Sequence, residues 1–188
     1  MGNNIKIISK QEYLKDNEKS AQEEVWDNVS ELWVDYRKEP IPIVAEFLKD
    51  KKGKVIDLGC GSGRNMIPSK NLKYYGVDFS EEQIKSAEKI IKERKINVKF
   101  FKSKIDKLDL NIFKDNMFDY GLFIATLHCL ESADERLNSL KEFYRILKNN
   151  AEALISVWNS EDERFDNVNN KGEIYMSWRK DGKEHMRY

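Results

Sequence analysis

Asp57, Gly59, Gly61, Gly63 and Asp78 are the residues of this chain whose types and spacing can hold a nucleoside. The apolar run Val55, Ile56, Leu58 reads as a buried parallel strand, and the alternating glycines that follow let the backbone turn sharply and approach a ligand closely. A second short strand, Lys73 to Val77, ends at Asp78, where a carboxylate can accept from both hydroxyls of a ribose. The two strand ends belong to one site. A dinucleotide fingerprint would place glycine at position 64, three after Gly61, but Arg64 stands there, so a version of the turn that cradles a pyrophosphate is disfavoured.

A second set of groups falls at the same sheet edge. The run Phe118 to Thr126 reads as a central strand whose end carries Ile124 and then His128-Cys129, and Trp158-Asn159 closes a fifth strand. Ligands of an open parallel sheet bind outside the carboxyl ends of its strands, which makes these positions site candidates. A lone histidine at a strand end is more often structural than chemical, and a tryptophan there either stacks a base or fills the core.

The elements that position these groups follow from periodicity. Val25, Val29, Leu32 and Tyr36 recur at helical spacing between Ala21 and Tyr36, flanked by Trp26 and Trp33; Pro40 and Pro42 then precede a second apolar face of Ile43, Val44, Phe47 and Leu48. After Asp78, Ser80 and Gln83 form a capping box, and Ile84, Ala87, Ile90 and Ile91 supply the buried stripe of a helix reaching about Lys95. Val98, Phe100 and Phe101 mark a third strand. Ser132 and Glu135 cap another helix with the face Leu137, Leu140, Tyr144, Leu147, before the strand Ala153 to Trp158. Strands alternating with helices predict an α/β fold with a doubly wound, mostly parallel sheet. In the tail, Ile174 to Trp178 and Lys183 to Tyr188 flank Lys180-Asp181-Gly182-Lys183 as a hairpin would, placed to cover the cleft. The whole reads as one domain over 1–188: an N-terminal helical segment (1–52), a cofactor-binding core (53–159) and a substrate-side hairpin (160–188).

Composition bounds the partners. The chain of 188 residues carries 33 basic and 33 acidic residues, so no global field draws it to nucleic acid, and RNA contact must come from a local patch or a partner. No apolar run approaches membrane-spanning length and the start lacks a signal-peptide core, which predicts a cytoplasmic protein. Cys60 and Cys129 lack metal-ligand spacing and read as free thiols; no metal site is expected.

The stretch Asp57-Leu-Gly-Cys-Gly-Ser-Gly63 resembles motif I of the class I S-adenosylmethionine-dependent methyltransferases. That resemblance implies a Rossmann-like fold and S-adenosylmethionine as cofactor, with its ammonium near Asp57 and its ribose on Asp78. The implied cofactor-binding set is Asp57, Gly59, Cys60, Gly61, Gly63, Arg64, Asn65, Asp78, Phe79, Lys104, Ile105 and Ile124. Where the family carries an acid for the adenine amino group, an ungapped alignment puts Lys104, and Asp106 fits only with a shift; the ungapped reading is preferred, leaving adenine to backbone groups near Ile105. A complete class I core also carries a further helix and two strands after the fifth, which are absent here.

Several segments resemble the tRNA wobble-uridine carboxymethyl methyltransferases more closely: Val25-Trp26-Asp27, Arg37-Lys38-Glu39-Pro40-Ile41-Pro42, Ala125-Thr126-Leu127-His128, Ser156-Val157-Trp158-Asn159, Met176-Ser177-Trp178 and Arg187-Tyr188. The short link from Gly63 to Asp78, interrupted by Pro68, is also similar to that family. The resemblance implies methyl esterification of 5-carboxymethyluridine in a tRNA anticodon, with Arg37, His128, Trp158 and Arg187 on the acceptor side. It also implies a small zinc-containing activator protein as a heterodimer partner, expected on the edge strand Val98 to Phe101. Cys129 stands in place of a second histidine, and Asn149-Asn150-Ala151 in place of a Pro-Gly-Gly turn. A small-molecule methyltransferase, or a non-catalytic interaction module of the same fold, shares everything through Asp78, since fold alone does not fix function.

Overall fold

The computed structural model describes residues 5–37, 39–166, 168 and 172–188; Lys38, within one of the family-like segments, and the side chain of Tyr36 lie outside that description. The chain opens with strand β1 (Ile7–Ser9) and helix α1 (Lys10–Asp16), followed by α2 (Gln22–Tyr36) and α3 (Pro42–Leu48). The 1–52 segment is therefore not purely helical. Three residues, Ile7-Ile8-Ser9, are too few to show a period in sequence, and their pairing partner lies at the far end of the chain.

The core follows the alternating pattern: β2 (Gly53–Leu58), β3 (Leu72–Asp78), α4 (Glu81–Arg94), β4 (Val98–Lys102), β5 (Phe118–Ile124), α5 (Ala133–Ile146) and β6 (Leu147–Ser156). These strands pair in parallel in the order β4-β3-β2-β5-β6. The order reverses between β2 and β5, and the crevice at that switch point is where such sheets bind ligands. Val55, Ile56, Leu58, Tyr74, Val77, Leu122 and Phe123 are buried on the two faces of the sheet, which is why these strands read as continuous apolar runs rather than alternating ones. Between Gly63 and β3 the chain forms turns and no helix.

A second sheet, antiparallel, pairs β1 with β7 (Ile174–Lys180) and β7 with β8 (Lys183–Arg187). Asp181 and Gly182 both have positive φ, at 50° and 76°, the signature of a two-residue type I′ hairpin turn. Tyr175, fully buried, packs with Tyr13 and Tyr188 to hold this sheet together.

Three expectations need correction. The buried face of α5 is Ser139, Phe143 and Ile146, whereas Leu137 and Tyr144 are 51% and 83% exposed; Phe143 packs edge-on against Phe123, and that contact sets the rotation of the helix. The strand after α5 begins at Leu147, six residues earlier than its apolar run suggests, and Asn149-Asn150-Ala151 lie within it, opposite a register shift between Phe118 and Tyr120. The capping box at α4 is half made: Ser80 Oγ accepts from the Gln83 N–H at 3.2 Å, but the Ser80 N–H goes to Asp78 instead of to the Gln83 side chain. At Ser132 and Glu135 both halves of the box are present.

β4 does form an edge of the parallel sheet, as its place in the order requires. Its rings pack inward instead of forming a bare apolar surface along that edge. Phe100 packs into the core around Met66 and Gly76, and Phe101 stacks on Tyr75 with ring planes 2° apart. Among the described residues the other edge is β6, with no strand beyond it.

Candidate functional site

The turn after β2 is built as its glycines require. Gly59, Gly61 and Gly63 have φ of 68°, 50° and 72°, in the left-handed region. At Gly59 a Cβ would collide with the Thr126 side chain, whose hydroxyl donates to the Gly59 carbonyl at 3.3 Å. At Gly63 the backbone faces Ala87 and Ile91 of α4 within ordinary contact distance. A side chain at Gly63 would therefore point toward helix α4.

The two aspartates sit close together beneath this turn. Asp78 is 6% exposed; its Oδ2 accepts from the Gly61 N–H at 2.8 Å and its Oδ1 from the Ser80 N–H at 3.0 Å. Burial pushes its carboxyl up to about 6, against the opposing pull of the backbone N–H groups of Ser80, Gly61 and Phe79. Asp57 is 1% exposed, and its Oδ2 has no hydrogen-bond partner among the described residues. Burial first, then the neighbouring Asp78, raise it to about 8, with Arg64 opposing. Asp57 therefore lies behind the turn and is largely protonated near neutral pH in the ligand-free chain; a cation brought into the cleft would favour its ionised form. The Ser80 hydroxyl also donates to Asp27 Oδ1 at 2.5 Å, which pins α2 to the start of α4.

The cleft runs along the carboxyl ends of β2, β3 and β5. Its first half, about 430 Å³, is lined by Asp78, Phe79, Lys104, Ile105, Asp106, Thr126 and Leu130 and roofed by residues Lys19 to Glu23. Lys104 and Asp106 both reach it, so an acid is present on this side alongside the lysine. The second half carries Gly59, Cys60, Gly61, Arg64, Asn65, Gln83 and Ile124 on its floor, with Trp26, Trp33, Arg37, Trp158 and Arg187 above. Gly59, Asp78, Phe79, Thr126 and Cys129 belong to both halves, which makes them one crevice. Asn65 also accepts the Ile41 N–H at 3.3 Å, tying the start of α3 to the glycine turn.

A third cavity of about 280 Å³ adjoins the crevice and is lined by His128, Cys129, Trp158, Asn159, Phe165, Arg187 and Tyr188 among others. Beyond β5, Ala125 takes a φ of 52°, uncommon for a residue with a Cβ, and a short 3-10 turn over Leu127–Cys129 follows. That kink presents His128 to Trp158, with ring centroids 4.7 Å apart. Both His128 nitrogens are buried without hydrogen-bond partners among the described residues, and burial, then the Arg187 guanidinium, lower its imidazole to about 4. His128 is neutral at physiological pH.

Arg187, at the end of β8, is only 5% exposed. Its guanidinium carbon lies 4.9, 5.1, 5.8 and 5.8 Å from the rings of Trp33, Trp158, Trp26 and Trp178, which are all the tryptophans of the chain. Such π faces attract a cation while leaving its N–H fork directional. Arg37, just past α2, stands 5.0 Å over the same Trp33 ring. Burial and the proximity of Arg37 lower the Arg64 guanidinium. The structure brings Arg37, His128, Trp158 and Arg187 to one end of the crevice.

Sequence reasoning missed Asp27, Gln83, Thr126 and the tryptophan nest. Trp26 and Trp33, seven residues apart on one helix, do carry a signal: that spacing puts two rings on one face, and they meet edge-on at 5.1 Å. Thr126 and Gln83 carry none, because their roles depend on contacts across the switch point.

A methyltransferase-domain family model matches residues 49–187, and the chain belongs to that family. More particularly, it is 30% identical to a tRNA (carboxymethyluridine(34)-5-O)-methyltransferase of Xenopus tropicalis over 148 residues, covering 78% of this chain and 22% of that protein. It is 27% identical to the protein of that name from Schizosaccharomyces pombe over 161 residues, covering 82% of this chain and 66% of that one. The chain thus spans between about a fifth and two thirds of these relatives. Among solved structures, a SAM-dependent methyltransferase from Aquifex aeolicus superposes with a TM-score of 0.58 at 23% identity, covering 77% of each chain. Both the Rossmann-like fold and the resemblance read from the sequence are borne out.

S-adenosylmethionine is the cofactor, and the residues present fit it. The unpartnered Asp57 Oδ2 is a carboxyl that a neighbouring ammonium would ionise, Asp78 offers acceptors at a ribose, and no helix follows the turn to offer its N-terminus to a phosphate. Among the described residues there is no cluster able to hold a metal and no helix long and apolar enough to cross a membrane; both cysteines are free.

Proposed function

We propose that this protein transfers a methyl group from S-adenosylmethionine to the carboxylate of 5-carboxymethyluridine at the wobble position of a tRNA, giving the methyl ester, in the cytoplasm. One observation carries this reading: a buried guanidinium, Arg187, held by aromatic faces between the cofactor crevice and an aromatic-walled cavity of nucleobase size. S-adenosylmethionine supplies an activated methyl on sulfonium sulfur. The protein's own residues do the positioning. Asp78 takes the ribose hydroxyls, Phe79 and the segment around Ile105 flank the adenine with Lys104 and Asp106 at its rim, and Asp57 balances the ammonium. Gly59, Cys60, Gly61, Arg64, Asn65 and Ile124 line the amino-acid half.

On the acceptor side the base lies against Trp158, and Arg187, with Arg37 at the mouth, holds the carboxylate in two-pronged geometry. The acceptor oxygen forms the new bond to carbon as the carbon–sulfur bond breaks, and no proton is released. A general base is not needed, which agrees with a histidine whose imidazole is held at about 4. His128 then acts as a neutral wall and hydrogen-bonding group. The test is a radiolabelled-methyl assay on tRNA carrying 5-carboxymethyluridine, against the unmodified tRNA and a metabolite extract. Label confined to the carboxymethylated tRNA supports the reading. Label in metabolites alone points to a small-molecule methyltransferase, and cofactor binding without transfer to either points to an interaction module.

The partner belongs to the same proposal. The outer edge of β4 presents unpaired backbone groups, the usual template for strand addition by another chain, and the neutral net charge of this protein leaves basic surface for tRNA to the partner. We assign that edge to a small zinc-containing activator. Phe100→Pro, which removes a ladder donor, is expected to abolish the complex in co-purification. Unchanged amide exchange over residues 98–101 on adding the activator would rule the arrangement out.

A further inference from the structure

The amide of Gln83 sits at the crevice floor with nothing to bond. Gln83 is 2% exposed, and neither Oε1 nor Nε2 has a hydrogen-bond partner among the described residues. Its side chain is the half of the capping box that α4 does not use, because Asp78 Oδ1 takes the Ser80 N–H in its place. Gln83 lines the crevice together with Asp78 and Phe79, and its amide oxygen lies 3.7 Å from where a Cβ on Gly61 would stand. Burying an amide without partners is costly, and a glutamine with all four hydrogen-bonding capacities unused at a ligand wall calls for a partner that arrives with the ligand.

We propose that Gln83 is a cofactor-contact residue that donates through Nε2 to a ribose hydroxyl of the bound nucleoside, completing what Asp78 begins. The chemistry is complementary. A carboxylate only accepts, and each Asp78 oxygen already accepts one backbone N–H, so Asp78 can take hydroxyl protons but cannot serve the hydroxyl oxygens. The neighbouring amide is the donor that those oxygens need. Gln83 thus makes recognition specific for an intact ribose and discriminates against deoxy nucleosides. A site that hydrogen-bonds a hydroxyl rejects the analogue lacking it, because its own polar groups are then left unpaired.

This inference rests on the assignment of the crevice to S-adenosylmethionine, and the experiment separates the two. Calorimetric titration uses S-adenosylhomocysteine and its 2′-deoxy and 3′-deoxy analogues against the full chain, Gln83→Met and Asp78→Ala. Gln83→Met, close in volume and unable to hydrogen-bond, is expected to bind S-adenosylhomocysteine roughly tenfold more weakly than the parent. Against at least one deoxy analogue it is expected to match the parent. Its ligand-free melting temperature should be equal or higher, since an unpaired buried amide has been removed. Equal binding of S-adenosylhomocysteine by parent and Gln83→Met, or a tenfold loss that persists with both deoxy analogues, overturns the proposal. Failure of the parent itself to bind, or parent-like binding by Asp78→Ala, would instead overturn the assignment of the crevice.

Discussion

Asp57→Asn should stabilise the ligand-free protein at neutral pH while weakening its hold on the cofactor, and the size of the first effect can be worked from the burial of the carboxyl. The carboxyl titrates at about 8 in the folded chain against 3.8 for its ordinary value, because burial and the adjacent Asp78 disfavour the charged form. A folded value above the unfolded one means that the group's contribution is fully present below the unfolded value and is lost as pH rises toward the folded one. Stability is therefore lost with each pH unit between about 4 and 8, and the interval from pH 5 to pH 7 costs about 2 to 3 kcal/mol. The amide does not titrate and keeps the shape. The difference in melting temperature between Asp57→Asn and parent should therefore widen in the variant's favour by about 5 to 10 °C from pH 5 to pH 7, at about 2 to 4 °C per kcal/mol for a chain of this size. Taking the difference cancels other titrating groups, including His128, whose lowered value works in the opposite direction over its own range. The assay is thermal unfolding by circular dichroism at half-unit pH steps without ligand. Parallel profiles for the two proteins would refute the reasoning. A cofactor that neutralises Asp57 must also bind more tightly as pH rises from 6 to 8, with proton release on titration of the parent and less of it in the variant.

Three further outcomes follow from the geometry. Gly59→Ala combines a positive φ with a collision against Thr126 and should cost about 2 to 5 kcal/mol in denaturant unfolding, whereas Gly182→Ala, with positive φ but open space around it, should cost about 1 to 2 kcal/mol. Arg187→Lys keeps the charge but loses the two-pronged fork, so kcat/KM on tRNA should fall by about tenfold or more while S-adenosylhomocysteine affinity changes by less than about twofold. Equal losses in both would place Arg187 on the cofactor instead. The His128 ring should titrate near 4 by NMR, leaving the turnover rate without a histidine inflection between pH 6 and 7.

The parallel core was legible because its central strands β2, β3 and β5 are buried on both sides and its helices carry their own start signals. Val55 to Leu58, the glycine turn and the Ser132 cap are each local statements in the sequence. What was not legible depends on distant partners. The face of α5 is chosen by Phe143 against Phe123, while Leu137 and Tyr144 continue the same period on the side left open. β1 is three residues whose only meaning is a partner near the other end. At the site, Asp57 and Asp78 meet at the turn that Gly59 and Gly61 build, a side chain at Gly63 would face α4, and Lys104 and Asp106 share a rim that linear alignment presents as a choice. Arg187 could be singled out only by its segment. That four tryptophans from three separate stretches surround it is a fact of the folded chain alone.

The pairing of β1 with β7 bears on how the protein is made. The Lys6 N–H donates to Ser177 Oγ across 171 residues of chain, and the Arg187 nest draws on residues from 26 onward. Loop closure over such a span is among the slowest steps in folding, and domains assemble from the N-terminus as synthesis proceeds. The five-stranded core can therefore form on the ribosome while β1 waits unpaired and the acceptor side remains open. Only when residues 174–188 have emerged do the hairpin, β1 and the arginine meet. Ribosome-bound intermediates that have not yet released residues 174–188 should therefore be able to hold the cofactor before the acceptor side is complete.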